Sequence, residues 1–224
     1  GSVRRDGSSR FGKANRYAIF PAVSVAWNIS SEPFFDNLEV ISSLKLRASW
    51  GQQGNQEIGN YPYSSLVETG ILEYPFGGVI STGTEIVETG NENIKWETTT
   101  QTDFGIDMSL WEDRLSIIAD YYIKRTDDIL VRVPLPQSAG AFNPPYVNAG
   151  VVENKGLEFA ISYRQTTNDW HYEIGANIAT IDNKVISLAG TEPLLGGFGL
   201  SDGPITRTEP GYPLGSFYLY KMEG

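Results

Sequence analysis

Over residues 96–110 the side chains sort by parity. Trp96, Thr98, Thr100, Thr102, Phe104, Ile106, Met108 and Leu110 share one parity, and Glu97, Gln101, Asp103, Asp107 and Ser109 share the other. Side chains two apart lie on the same face of a β-strand, so this stretch reads as a strand with one oily face and one wet face. A sheet packed on a soluble core produces the same alternation, but its strands usually run about five or six residues. A strand more than twice that length favours a sheet that crosses a membrane, with lipid on one side and water on the other.

The pattern recurs. Residues 17–29 place Val23, Val25, Trp27 and Ile29 opposite Ala22, Ser24, Ala26 and Asn28, and residues 44–50 place Leu44, Leu46, Ala48 and Trp50 opposite Lys45, Arg47 and Ser49. Pro21, which has no N–H to donate, weakens the upper half of the first of these as a regular central strand. Residues 115–124, 157–164 and 170–178 alternate in the same way, and a further strand entry is expected near residues 217–220. Residues 111–114 and 165–169 read as short turns. Asp6-Gly7-Ser8-Ser9 reads as a polar opening. Residues 51–95, 127–150 and 185–216 read as loops far longer than the usual ~4–6 residues. Short turns alternating with long loops are the asymmetry of outer-membrane barrels. About six strands do not close such a barrel, which needs at least about eight, so the expected architecture is all-β, a part of a larger antiparallel transmembrane barrel.

Composition agrees. Apolar residues make up 40% of the chain, below the ~45–50% of globular proteins, as expected of a polar interior with one apolar outer band. No stretch approaches the ~18 consecutive apolar residues of a membrane-spanning helix, and a signal for export is expected upstream of Gly1. All five tryptophans (27, 50, 96, 111 and 170) fall at or near expected strand ends, the placement of an interfacial aromatic girdle, although aromatics also favour strands in general. A net charge of −10 argues against a nucleic-acid surface. The absence of cysteine excludes disulfides, thiol nucleophiles and Cys-based metal sites.

Several segments resemble the SusC/RagA family of TonB-dependent outer-membrane transporters of Bacteroidetes. They are Arg5-Asp6-Gly7-Ser8-Ser9-Arg10-Phe11-Gly12, Phe20-Pro21-Ala22-Val23-Ser24, and Leu44 to Gln52 with Gly54-Asn55-Gln56. The resemblance continues through Lys95-Trp96-Glu97-Thr98-Thr99, Asp120-Tyr121-Tyr122, Val152 to Glu158 and Gly211 to Phe217, in order along the whole chain. It implies a barrel of about 22 strands plugged by an N-terminal domain. It also implies a SusD-like surface lipoprotein as a lid, and energy delivered by TonB through an N-terminal box. On this reading residues 1–224 are part of the barrel domain, and the plug and TonB box lie outside them.

The polar parity of a barrel lines its lumen, which nominates Arg47, Glu97, Asp103, Asp107, Asp120, Glu158, Arg164, His171 and Glu173, together with Lys45, Gln101 and Lys124. A polar lumen needs many such residues whatever passes through it, so pairing within the wall stands beside solute contact for each. Tyr61, Tyr63, Tyr74, Phe76, Phe142 and Tyr146 in the long loops suit stacking on sugar rings or gripping a peptide backbone. They suit packing of a loop on itself or on a lid equally well. No catalytic residue, metal site or cofactor is expected: no carboxylate pair stands out for glycoside cleavage, His171 is the only histidine, and Asp127-Asp128 lacks the spacing of a calcium loop. The expected function is TonB-dependent import of oligosaccharides or oligopeptides through the outer-membrane lipid, without bond cleavage and without nucleic acid as a partner. The alternative is a soluble or surface-exposed all-β glycan-binding module or adhesin, which requires a second sheet over the apolar face.

Overall fold

Parity becomes pairing in the structure. The computed structural model describes residues 1–35, 40–132, 143–167, 169–190, 192–198 and 203–220, the side chains of 71, 72 and 198 aside. The strands are β1 (Ser2–Gly7), β2 (Tyr17–Asn28), β3 (Ile41–Asn55), β4 (Leu66–Phe76), β5 (Val79–Glu88), β6 (Glu97–Leu110) and β7 (Leu115–Asp127). They continue as β8 (Leu130–Arg132), β9 (Tyr146–Asn148), β10 (Val151–Thr166), β11 (His171–Ser187), β12 (Leu194–Phe198), β13 (Pro204–Thr208) and β14 (Ser216–Phe217).

Seven strands form one antiparallel sheet in the order β1-β2-β3-β6-β7-β10-β11, so neighbours in the sheet are neighbours along the chain once the smaller hairpins are set aside. Such a meander is one arc of an up-and-down barrel. The sheet has seven strands, in keeping with the about six expected, and the added one is β1. β1 was hidden in the polar opening, where Arg4 and Arg5 follow one another and break the alternation; their guanidinium groups lie over Phe20 and Tyr17. Pro21 stays within β2, paired with Val3 of β1, while the ladder from β2 to β3 ends next to it at Ala22 opposite Gly51.

The expected loops are corrected as well. Residues 51–95 contain the top of β3 and the β4–β5 hairpin, residues 127–150 contain the small β8–β9 pair, and β12-β13-β14 form a separate three-stranded sheet. β14 is confined to Ser216–Phe217, so the strand entry expected at 217–220 belongs to that small sheet and not to the barrel wall.

Two rows define the oily face. Val25, Ala48, Phe104, Tyr121 and Leu157 lie side by side on successive strands, and so do Trp27, Leu46, Ile106, Ala119, Phe159 and Ile178. A sandwich would cover them. Instead Val25 is 65%, Phe104 55% and Leu157 56% exposed, and no described residues form a second sheet over them. Toward the long loops the same face turns charged, with Arg125, Glu153 and Lys184 in one row and Lys155 and Asp182 in the row below. At ~3.4 Å per residue the 16 residues of β10 run roughly 55 Å. After a tilt of about 40° they still rise well beyond an apolar band ~25 Å tall. The strands therefore stand above the membrane at their loop ends.

Candidate functional site: the polar wall and its loop platform

The polar face is built around Arg47. In register it faces Gly105 of β6, which faces Asp120 of β7, which faces Glu158 of β10. The Arg47 guanidinium donates to both carboxylate oxygens of Asp107, at 2.9 Å from Nε and 2.7 Å from Nη2, and Nη2 also reaches Asp120 Oδ1 at 2.9 Å. One cation thus ties three strands together. Gly105 makes this possible, because a Cβ there would overlap the Asp120 carboxylate and lie 2.7 Å from Arg47 Cζ. Asp103 accepts from Ser49 Oγ at 3.1 Å and from Gln101 Nε2 at 3.0 Å, and Asn183 Nδ2 donates to Asn154 Oδ1 across β10 and β11 at 2.6 Å.

Of these residues Arg47, Ser49, Gln101, Asp103, Asp120 and Asn154 line a groove of about 660 Å³ that also includes Tyr122, Lys124 and Glu158. The side chains of Glu158 and Lys124 have no hydrogen-bond or ion-pair partner among the described residues, so the groove holds one acid and one base outside the Arg47 network. Nearer the short turns, Arg164 donates to Glu173 Oε2 at 3.0 and 3.2 Å, and exposed His171 stands opposite Thr166 at the first position of β11. Glu97 sits at the other end as a latch, accepting from Asn55 Nδ2 and from the Leu130 N–H, each at 3.1 Å.

At the loop end the chain builds a platform. Phe11 and Ile94 are fully buried, and with Phe20, Ile58 and Trp96 they make a compact apolar cluster against which Tyr63, Leu130 and Tyr146 pack. The Trp96 ring lies 5.1 Å from Phe11 and 5.7 Å, edge-on, from Phe20. Trp96 is therefore a core residue of the platform, which corrects its place in the expected girdle. The other four tryptophans are exposed, Trp27, Trp111 and Trp170 toward the short-turn end and Trp50 toward the loops.

Asparagines do in the platform what strand ladders do below it. Asn148 Nδ2 donates to the carbonyls of Lys95 and Asp128 while its Oδ1 accepts from the Lys95 N–H. Asn15 donates to the carbonyls of Asn93 and Ile94, and Asn91 to that of Tyr146.

Of the loop aromatics, Tyr63 and Tyr146 are thus part of the platform, with the Arg132 guanidinium 4.4 Å above the Tyr146 ring. Tyr61, Tyr74 and Phe76 are exposed. Phe142 lies outside the described residues.

Comparison with known proteins decides the family. Residues 1–220 match the family described as TonB dependent receptor-like, beta-barrel. The chain belongs to the TonB-dependent receptor β-barrel family. It is 37% identical over 229 residues to TonB-dependent receptor P3 of Formosa agariphila, covering 100% of this chain and 22% of that protein. It is 35% identical over 232 residues to TonB-dependent receptor SusC of Bacteroides thetaiotaomicron, covering 99% of this chain and 23% of that protein. The solved RagAB peptide transporter superposes with a TM-score of 0.80 at 33% identity, over 96% of this chain and 23% of the matched chain. The chain spans about a fifth to a quarter of the length of the relatives it matches.

The family gives the two faces their names. A barrel of this family meets lipid on one face of its wall and encloses a lumen on the other, so the exposed apolar rows are the candidate lipid face and the Arg47 network is the candidate lumen face. Of the lumen residues expected from sequence, Arg47, Asp103, Asp107, Asp120 and Glu158 come together on one stretch of wall. Arg164, His171 and Glu173 lie apart from them near the short turns, and Glu97 lies at the platform. Parity did not point to Gly105, Phe11, Ile94 or Asn148. Gly105 is a glycine inside a long regular strand, a signal of close approach.

Proposed function

We propose that the whole protein imports oligosaccharides or oligopeptides across the outer membrane, driven by TonB and gated by a SusD-like lipoprotein lid. The observation that carries this reading is the structural likeness to the RagAB peptide transporter over nearly the whole chain, supported by the sequence likeness to SusC. The polar wall suits passage better than chemistry. Its central acids, Asp107 and Asp120, are held by one shared arginine. Within the wall, the Arg47 network keeps three strands in fixed register while Lys124 and Glu158 present free charge to whatever moves past. Tyr61, exposed at the platform beside Tyr63 with ring centroids 6.1 Å apart, gives an aromatic surface for a sugar ring or peptide bond.

The test is uptake of labelled oligosaccharides and oligopeptides by cells with and without the transporter, each with and without functional TonB. Uptake of one class that requires both supports the reading and names the solute. Uptake of both classes unchanged by loss of the transporter overturns it.

A further inference from the structure

The apolar face of the wall is not smooth. It carries a groove of about 620 Å³ lined by Trp27, Phe104, Tyr121 and Leu157 together with Ala48 and Ala119, a volume in the range of small-molecule sites. Register explains the hollow. Ala48 stands between Val25 and Phe104 in one row, and Ala119 between Ile106 and Phe159 in the next. A methyl group between two large side chains leaves space above it, and the two alanines lie on the strands that flank β6.

Toward the long loops the groove runs into charge. Lys155 follows Leu157 on the same face of β10, and in the row beyond it Arg125 of β7 and Lys184 of β11 flank Glu153. Arg125 pairs with Asp127 at 3.0 Å and Lys155 with Glu153 at 2.8 Å, partly exposed pairs of the kind that hold a side chain only weakly. Asp182 stands across from Lys155, so three cations and three acids share the patch. Exposed Lys184 has no hydrogen-bond or ion-pair partner among the described residues. Height places the patch. From Tyr163, whose ring lies 6.3 Å from that of Tyr172 on the same face, up to Lys155 is roughly 27 Å along β10. That is roughly 21 Å of height after a tilt of about 40°, close to the ~25 Å of an apolar band. Lys155 thus stands at the band's upper edge, where long lysine stems carry their ammonium groups up to the headgroups.

We propose that groove and cations form one site for a phosphate-bearing lipid of the outer leaflet. An acyl chain lies over Ala48 and Ala119 against Phe104 and Leu157, and the phosphate meets Lys155 and Lys184 with Arg125 beside them. The membrane setting rests on the barrel family, and the site is independent of the import proposed above. The order of the parts selects the occupant: an apolar trough below and cationic donors at the edge match a lipid's acyl chain and headgroup. A soluble anion has no use for the trough, and a glycan leaves it empty. Because the patch is balanced in sign within a chain of net charge −10, it selects by short-range donors and not by a long-range field.

The experiment uses the whole protein in detergent with its native lipid exchanged away, as wild type, as K155Q/K184Q and as A48F/A119F. Each is offered equal amounts of phosphatidic acid and of diacylglycerol with the same acyl chains. Bound lipid is counted by native mass spectrometry, and the heat-shifted gel band checks that each barrel is folded. Wild type is expected to retain phosphatidic acid over diacylglycerol on the order of ten-fold. K155Q/K184Q removes that preference and leaves diacylglycerol binding as it was, and A48F/A119F lowers binding of both lipids. Equal retention of the two lipids by wild type, or folded variants that hold phosphatidic acid as wild type does, overturns the proposal. Inorganic phosphate that displaces phosphatidic acid at equal concentration means an anion site without the groove, and also overturns it. So does a wild type that binds neither lipid and runs as a dimer lost in A48F/A119F, since the groove then takes a second copy.

Discussion

The barrel wall and the loop platform solve the same problem by different means. In the wall, backbone ladders hold adjacent strands in register over most of their length, and side chains divide between oil and water with a period of two. In the platform, asparagine amides replace the ladders and a five-residue apolar cluster around Phe11 replaces the lipid. The wall is an extended design that tolerates exposure because the membrane covers one face. The platform buries Phe11 and Ile94 completely, as a small soluble domain does.

The largest way to break this comparison is at Phe11. Phe11→Ala empties the centre of the platform, and about 3–5 kcal/mol of local stability goes with it. Limited proteolysis is expected to cut residues 56–65 and 89–95 readily while the heat-shifted band persists. Loss of the band together with the loops would mean that wall and platform are one cooperative unit.

Gly105→Val tests the wall alone. The new side chain occupies the space of the Asp120 carboxylate and the Arg47 guanidinium, so a cost of about 2–3 kcal/mol is expected, read as a lower temperature for the gel-shift transition with platform proteolysis unchanged. The smallest effect belongs to Arg164→Ala. Its pair with Glu173 is 67% and 51% exposed, so a change of no more than about 0.5 kcal/mol is expected, in contrast to the three-strand network at Arg47.

The two regions also differ in how far the sequence reveals them. Below the band edge the parity of β6 and β7 marks each face and nearly each boundary, because the two faces carry opposite chemistry on alternate residues. Above it the signal fades. β3 continues to Asn55, β7 to Asp127 and β11 to Ser187, and β10 begins at Val151, all beyond the alternating stretches and all at the loop end. There both faces meet water or other loops, as Arg125, Glu153 and Lys184 show, so period two no longer separates strand from loop.

The candidate site divides along the same line. The Arg47–Asp107–Asp120 cluster was legible as polar parity on three strands, but its dependence on Gly105 follows from register, which alternation alone does not specify. Phe11, Ile58 and Ile94 come from three separate loops, and no local period brings them together. The same holds for Tyr63 and Tyr146, whose role in packing follows from long-range contacts that only the folded chain creates.

The central claim is that one parity of these strands faces lipid and the other an aqueous lumen. Residues 1–224 contain no cysteine, so single cysteines at positions 157, 158 and 159 of β10 in the whole protein, with any cysteine outside these residues replaced and each variant spin-labelled in a bilayer, address it directly. The measurement is collision with oxygen, which concentrates in lipid, against a water-soluble nickel chelate. The account expects oxygen to dominate at 157 and 159 and nickel at 158. Nickel dominating at all three positions, or no alternation between them, would contradict it.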